Sequence, residues 1–243
     1  MSPITSDQTT KAPELNSLAP YIQSTLISNT VTRQQWERHV ADCLAYQFHA
    51  AMVPPSWVRW TKERLSGSSI RVASFLDFPL GTMTCAGKAD EARRLLQAGV
   101  QEIDLMPNVG FLLSGMESEY FQDIRGVVQA AENVPIKIML ELPLLNASQR
   151  KRAVAISIEA GVVYLKNASS GAVGVATVED IRFLRVSAPP HVGVKASGGI
   201  KTAKQVRELL GAGASLVGTS SAVKILEETQ DNSERQSHES TNY

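Results

Sequence analysis

The chain has 243 residues, 43% of them hydrophobic and 20% charged, with 24 basic side chains against 24 acidic ones. That is enough apolar material for a sizeable core, and the balanced charge excludes an overall field that would draw the protein to nucleic acid or a membrane surface. Cys43 and Cys85 stand far apart without CxxC or Cys/His spacing, which argues against a disulfide framework or a zinc site, and no run reaches the roughly 18 apolar residues of a membrane span. A soluble cytoplasmic protein without metal or cofactor is expected, and any anionic substrate must be caught locally.

Residues 1–17 are rich in Ser, Thr and Pro and carry no apolar signal region, so a disordered N-terminal segment is expected. A single domain is expected over 18–228. Its first strands are PYIQSTL at 20–26, HAAMV at 49–53 and IRVASFLD at 70–77. From there the hydrophobic period alternates between strand and helix. A helix over 87–99 precedes the strand EIDLMP at 102–107, and a helix over 118–133 precedes IKIMLEL at 136–142. A third helix over 146–161 leads to VVYLKN at 162–167. The phrases TVEDIRFLRV and TAKQVRELLGAG each open on a Thr suited to an N-cap, and they precede the strands at 191–196 and 215–219. Gly99, Gly161 and Gly213 each close a helix just before a strand. Eight strands with helices between them predict a (β/α)8 barrel, with a doubly wound open sheet as the alternative. Residues 229–243 are almost without apolar side chains and read as a flexible tail.

In a (β/α)8 barrel the active site lies at the C-terminal ends of the strands. Buried strands should be apolar, so ionisable residues near those ends require a reason. Asp104, Glu141, Lys166 and Lys195 are such residues. One lysine at a strand end is ordinarily a snorkelling side chain. Here two sit on consecutive strands, which run about 4.8 Å apart. Two ammonium groups so close, partly desolvated, lower the pKa of one of them. A neutral amine can then attack a carbonyl to form a Schiff base. Asp104 would balance their charge and relay protons. Glu141 and Lys137 share one face of their strand by period-two spacing and are expected to pair in the barrel interior. The loops at 196–201 and 218–222 are rich in Gly and Ser and follow strands seven and eight, where this fold binds phosphate.

At these residues the sequence resembles the deoxyribose-phosphate aldolase family. The blocks FPLGTMT (78–84), EIDLMPNVGFLLSG (102–115), EAGVVYLKNASSG (159–171), VGVKASGGIKT (192–202) and GAGASLVGTSSAV (211–223) carry the resemblance over roughly residues 20–226. It implies a (β/α)8 barrel that cleaves 2-deoxy-D-ribose 5-phosphate reversibly to D-glyceraldehyde 3-phosphate and acetaldehyde, with no cofactor. It implies Lys166 as the Schiff-base lysine, Lys195 as the neighbour that depresses its pKa, and Asp104 as the proton-relay acid. Gly198, Gly199, Ser220 and Ser221 would cradle the phosphate. Partners are then small phosphorylated sugars and aldehydes, and a homodimer is left open.

Four stretches depart from the family pattern. Ile22-Gln23-Ser24-Thr25 stands where an acid-bearing first strand is usual, and Asn167-Ala168-Ser169-Ser170 replaces Thr-Ser-Thr-Gly. Pro107 replaces an aliphatic residue, and Leu142-Pro143 replaces a Thr and its neighbour. They leave open an aldolase of the same mechanism with another aldehyde or ketone, or a non-catalytic barrel that binds sugar phosphates. Finally, a tail of fifteen residues spans roughly 20–23 Å, enough to bring the Tyr243 phenol over the barrel mouth to assist proton transfer.

Overall fold

The computed structural model describes residues 18–229. Eight strands close into one parallel barrel in chain order: β1 (Ile22–Thr25), β2 (Ala50–Met52), β3 (Arg71–Leu76), β4 (Glu102–Leu105), β5 (Ile136–Met139), β6 (Tyr164–Lys166), β7 (Gly193–Ser197) and β8 (Leu216–Thr219). The ring is sealed where β1 pairs with β8, Gln23 beside Gly218. Seven of the strands lie within the expected segments, and β7 runs one residue past its own, to Ser197. The expected (β/α)8 barrel is borne out, and the open sheet is not.

The helices on the outside are α1 (Arg33–Tyr46), α2 (Val58–Arg64), α3 (Cys85–Ala98), α4 (Val109–Leu113), α5 (Glu117–Ala130), α6 (Ala147–Ala160), α7 (Val178–Ser187) and α8 (Ala203–Gly211). A further helix, α9, covers 222–229. Their starts are set by side-chain caps. Thr177 accepts from the Asp180 N–H and Thr202 from the Gln205 N–H, as the sequence suggested. Gly99 and Gly161 close α3 and α6 with φ of 92° and 97°, and Gly213 follows α8 with φ of 106°. Each thus turns the chain back into the next strand.

Strand period two sorts the side chains into two sets. Ile103 and Leu105 of β4, Ile136 and Ile138 of β5, and Val194 and Ala196 of β7 join the large apolar core between barrel and helices. The alternate residues Glu102, Asp104, Lys137 and Lys195 face the barrel interior and are buried. A second, small cluster of Ala50, Met52 and Ala73, with Phe75 against it, fills the β2–β3 side of that interior. The barrel is therefore apolar outside and, on its β4–β7 side, charged inside, which is unusual enough to need a function.

Candidate active site

The register brings Lys166 directly beside Lys195 on the neighbouring strand. Both ammonium groups converge on one oxygen of Asp104: Lys166 Nζ lies 3.0 Å and Lys195 Nζ 2.6 Å from Oδ2. Lys137 Nζ approaches the other oxygen, Oδ1, at 3.7 Å. A lower tier holds Glu102, whose carboxylate accepts from Lys137 at 2.6 Å and Gln23 Nε2 at 3.1 Å. His49 Nε2 at 2.9 Å and Arg71 at 3.1 Å reach the same carboxylate from below. Gln23 links the tiers, because its Oε1 also accepts from Lys195 Nζ.

These contacts set the protonation. Burial alone would raise the Asp104 carboxyl, but Lys195, Lys166 and Lys137 outweigh it and hold it well below the usual carboxylate range. Burial would likewise raise Glu102, yet Lys137 and His49 bring it down to about 2. Lys195 moves the other way. Burial first, then the charges of Lys166 and Lys137, push its ammonium down to about 7 against the pull of Asp104. The sequence named Lys195 as the cause of a depression; in the structure the depression falls on Lys195 itself, the more buried of the two lysines in register.

A cavity of about 660 Å³ opens above this cluster. It is lined by Asp104, Lys166 and Lys195 at its floor, and by Gly198, Gly199, Ser220 and Ser221 at its rim, with Lys201 among the rim residues. The described residues singled out from the sequence as a site thus meet in one space. The rim is shaped by close backbone approach. Gly198 has φ of 107°, and a Cβ there would strike the Gly174 carbonyl, so the loops after β6 and β7 touch. Thr219 Oγ1 donates to the Ile200 carbonyl at 2.7 Å and accepts from the Ser221 N–H at 2.9 Å, tying the β7 and β8 loops together. Ser220 and Ser221 immediately precede α9, so the helix N-terminus opens beside the rim, a setting suited to an anion.

No family model matches the chain. A deoxyribose-phosphate aldolase of Brevibacillus brevis is 38% identical over 206 residues, covering 85% of this chain and 93% of the relative. One from Coprothermobacter proteolyticus is 37% identical over 207 residues, 85% of this chain and 94% of that protein. The chain belongs to the deoxyribose-phosphate aldolase family. The solved tetrameric deoxyribose-phosphate aldolase of Aeropyrum pernix, 30% identical, matches the fold with a TM-score of 0.82 over 89% of this chain and 92% of that one.

Two of the departures from the family pattern make defined contacts. Asn167 makes a two-way clasp with Ser197, donating from Nδ2 to its carbonyl at 3.0 Å and accepting from its N–H at 2.8 Å. That clasp locks the end of β6, and Lys166 with it, against β7. Pro107 is buried just past β4, where Gly81 packs on its carbonyl and leaves no room for a side chain.

One expected pair is not formed. Lys137 bonds to Glu102 and not to Glu141. Four residues of strand separate the two by about 13 Å, and Glu141 lies past the end of β5 with a left-handed φ of 51°. Its Oε1 accepts instead from the Ser169 N–H at 2.6 Å, while Oε2 is buried without a partner. Burial pushes this carboxyl up.

Sequence reasoning also missed Glu102 and Gly218, and it marked Gln23 only as a departure from the family pattern. Glu102 has a legible signal, an acid two residues before Asp104 on the same strand face. Gly218 matters because a Cβ there would lie 2.9 Å from Lys195 Cε and 2.9 Å from Ser197 Oγ. Its bare backbone is the space Lys195 occupies. Lys88 was missed too. It reads as a surface lysine of an amphipathic helix, yet it is buried on Asp123 at 2.7 Å and on the Gly81 and Met106 carbonyls. There it braces the loop that brings Phe78 and Pro79 to the cavity wall. Thr229, expected to begin the tail, is the last described residue of α9; Tyr243 and the rest of the tail, like the expected N-terminal segment 1–17, lie outside the described residues. Cys43 and Cys85 are free thiols, and among the described residues no helix is long and apolar enough to cross a membrane.

Proposed function

We infer that this protein is a class I aldolase that cleaves 2-deoxy-D-ribose 5-phosphate reversibly to D-glyceraldehyde 3-phosphate and acetaldehyde, through an imine on Lys166. The observation that carries this reading is the pair of lysines in register on adjacent strands, sharing one carboxylate oxygen at the floor of a cavity. Membership of the family supports the substrate.

The amine of Lys166 adds to the aldehyde carbon of the open-chain sugar, and water leaves to give a protonated imine. That cation draws electrons from the bond between C2 and C3 once the C3 hydroxyl has given up its proton. The bond breaks, glyceraldehyde 3-phosphate departs as the aldehyde, and an enamine remains on Lys166. Protonation of the enamine carbon and hydrolysis of the imine release acetaldehyde. Lys195, with an ammonium poised near neutrality, and Asp104, bonded to both lysines, exchange the protons these steps require. The phosphate sits at the Gly198, Gly199, Ser220 and Ser221 rim, with Lys201 adding positive charge. We place the reaction in the cytoplasm.

The test is release of glyceraldehyde 3-phosphate from 2-deoxyribose 5-phosphate by the purified protein, with and without EDTA. Turnover is expected and should be the same in both, since the imine nitrogen does the work of a Lewis acid. Loss of turnover in EDTA, restored by a divalent metal, contradicts the Schiff-base reading. The absence of turnover with this substrate contradicts the substrate.

A further inference from the structure

Gln23 is fully buried on β1, 172 residues from Lys195 in sequence, and bonds at both ends of its amide. The orientation of that amide is decided by its neighbours. Glu102 is a carboxylate held ionised by Lys137, so it can only accept, and the amide NH2 must face it. The carbonyl Oε1 therefore faces Lys195 Nζ, which has N–H groups to donate whether it is an ammonium or an amine. We propose that Gln23 is a positioning residue that aims Lys195 at Asp104 and, being neutral on a strand where the family usually bears an acid, sets the pH at which Lys195 gives up and regains its proton during turnover. This deepens the aldolase reading and rests on it for the part Lys195 plays in the reaction.

The surroundings of Lys195 make the neutrality of Gln23 matter. The groups facing it are Gln23 from β1, Asp104 from β4, Lys137 from β5 and Lys166 from β6, while β8 contributes only the bare Gly218. Its formal charges are then one carboxylate against two other cations. A second carboxylate at position 23 would favour the ammonium and raise the pH at which it gives up its proton. An apolar side chain there would remove an acceptor that favours the ammonium, and would leave one N–H of Lys195 and one acceptor position of Glu102 unmet.

The experiment is a titration of the Lys195 Cε resonance in protein carrying 13C-labelled lysine, assigned by its absence in Lys195→Met. It is read in the wild type, Gln23→Glu and Gln23→Met, with turnover of 2-deoxyribose 5-phosphate measured across the same pH range. In Gln23→Glu the titration should move up by about one pH unit or more, and the pH of half-maximal turnover should move with it. In Gln23→Met it should move down. Gln23→Met is neutral and of similar length, so it keeps the question answerable should the glutamate variant not fold. Lys195 titrations that superimpose in the three proteins overturn the proposal, as does an order other than Met below Gln below Glu. Titrations that move in this order while turnover ignores them support the assignment of Gln23 and overturn instead the part given to Lys195 in the reaction.

Discussion

Lys166 and Lys195 sit at the ends of similar apolar strands but in different surroundings. Lys166 has one strong partner, Asp104, and opens to the cavity; Lys195 is packed between Gln23, Asp104 and the backbone of Gly218. The first is suited to meet substrate and the second to hand over protons. Lys166→Arg keeps the charge and the contact with Asp104 but stays protonated, so it cannot form an imine. Turnover should fall to less than about a hundredth of wild type with the melting temperature little changed, and more residual activity than that would exclude Lys166 as nucleophile. Glu141 makes a different prediction, one of stability. Its folded-state pKa is raised by burial, so the folded protein binds its proton more tightly than the unfolded chain does. That favours folding below the ordinary glutamate pKa, about 4.3, and the advantage is lost as pH rises through and above it. Glu141→Gln keeps an acceptor for the Ser169 N–H and buries no charge. Relative to wild type it should melt higher at pH 8 by about 2–4 °C for each kcal/mol recovered, and show no such gain at pH 4. An equal difference at both pH values would mean that the carboxyl carries no burial penalty.

Single elements are tuned to one another around this cluster. β8 leaves the space that the side chain of β7 fills, and β6 is clamped to β7 through Asn167 and Ser197. Gly218→Ala tests the first of these directly. Its added methyl would meet Lys195 Cε and Ser197 Oγ at 2.9 Å, and both are held by other bonds, so Lys195 must shift from Asp104. Overpacking of this kind costs about 1–3 kcal/mol. Turnover should drop tenfold or more in a protein that still folds cooperatively, as read by kcat and thermal melting together. Wild-type kcat in Gly218→Ala would show that the placement of Lys195 tolerates movement.

Across the whole molecule, what could be read from the sequence was what depends on local pattern. Buried parallel strands make β-branched runs, and Thr caps and Gly ends mark the helices, so the eight strands and the five helices α3, α5, α6, α7 and α8 stood out. Two early helices did not. α1, RQQWERHVADCLAY, is mostly polar with four buried residues, and α2 has only seven residues. The site was legible where chemistry and strand end coincide, at Asp104, Lys166 and Lys195. It was not legible where it depends on register across the barrel. Lys137 meets Glu102 because β4 and β5 pair Asp104 with Lys137, and Gln23 meets Lys195 only because β1 and β8 close the ring. Closure thus assembles a site in which three lysines and two carboxylates share one interior, and the central claim is that one of them, Lys166, forms the imine. Borohydride reduction of the protein in the presence of acetaldehyde, followed by peptide mass analysis, tests this most directly. The account expects an N-ethyl group on Lys166, absent without aldehyde and absent from Lys166→Arg. Ethylation of Lys195 in place of Lys166, or of no lysine in the barrel interior, would contradict it.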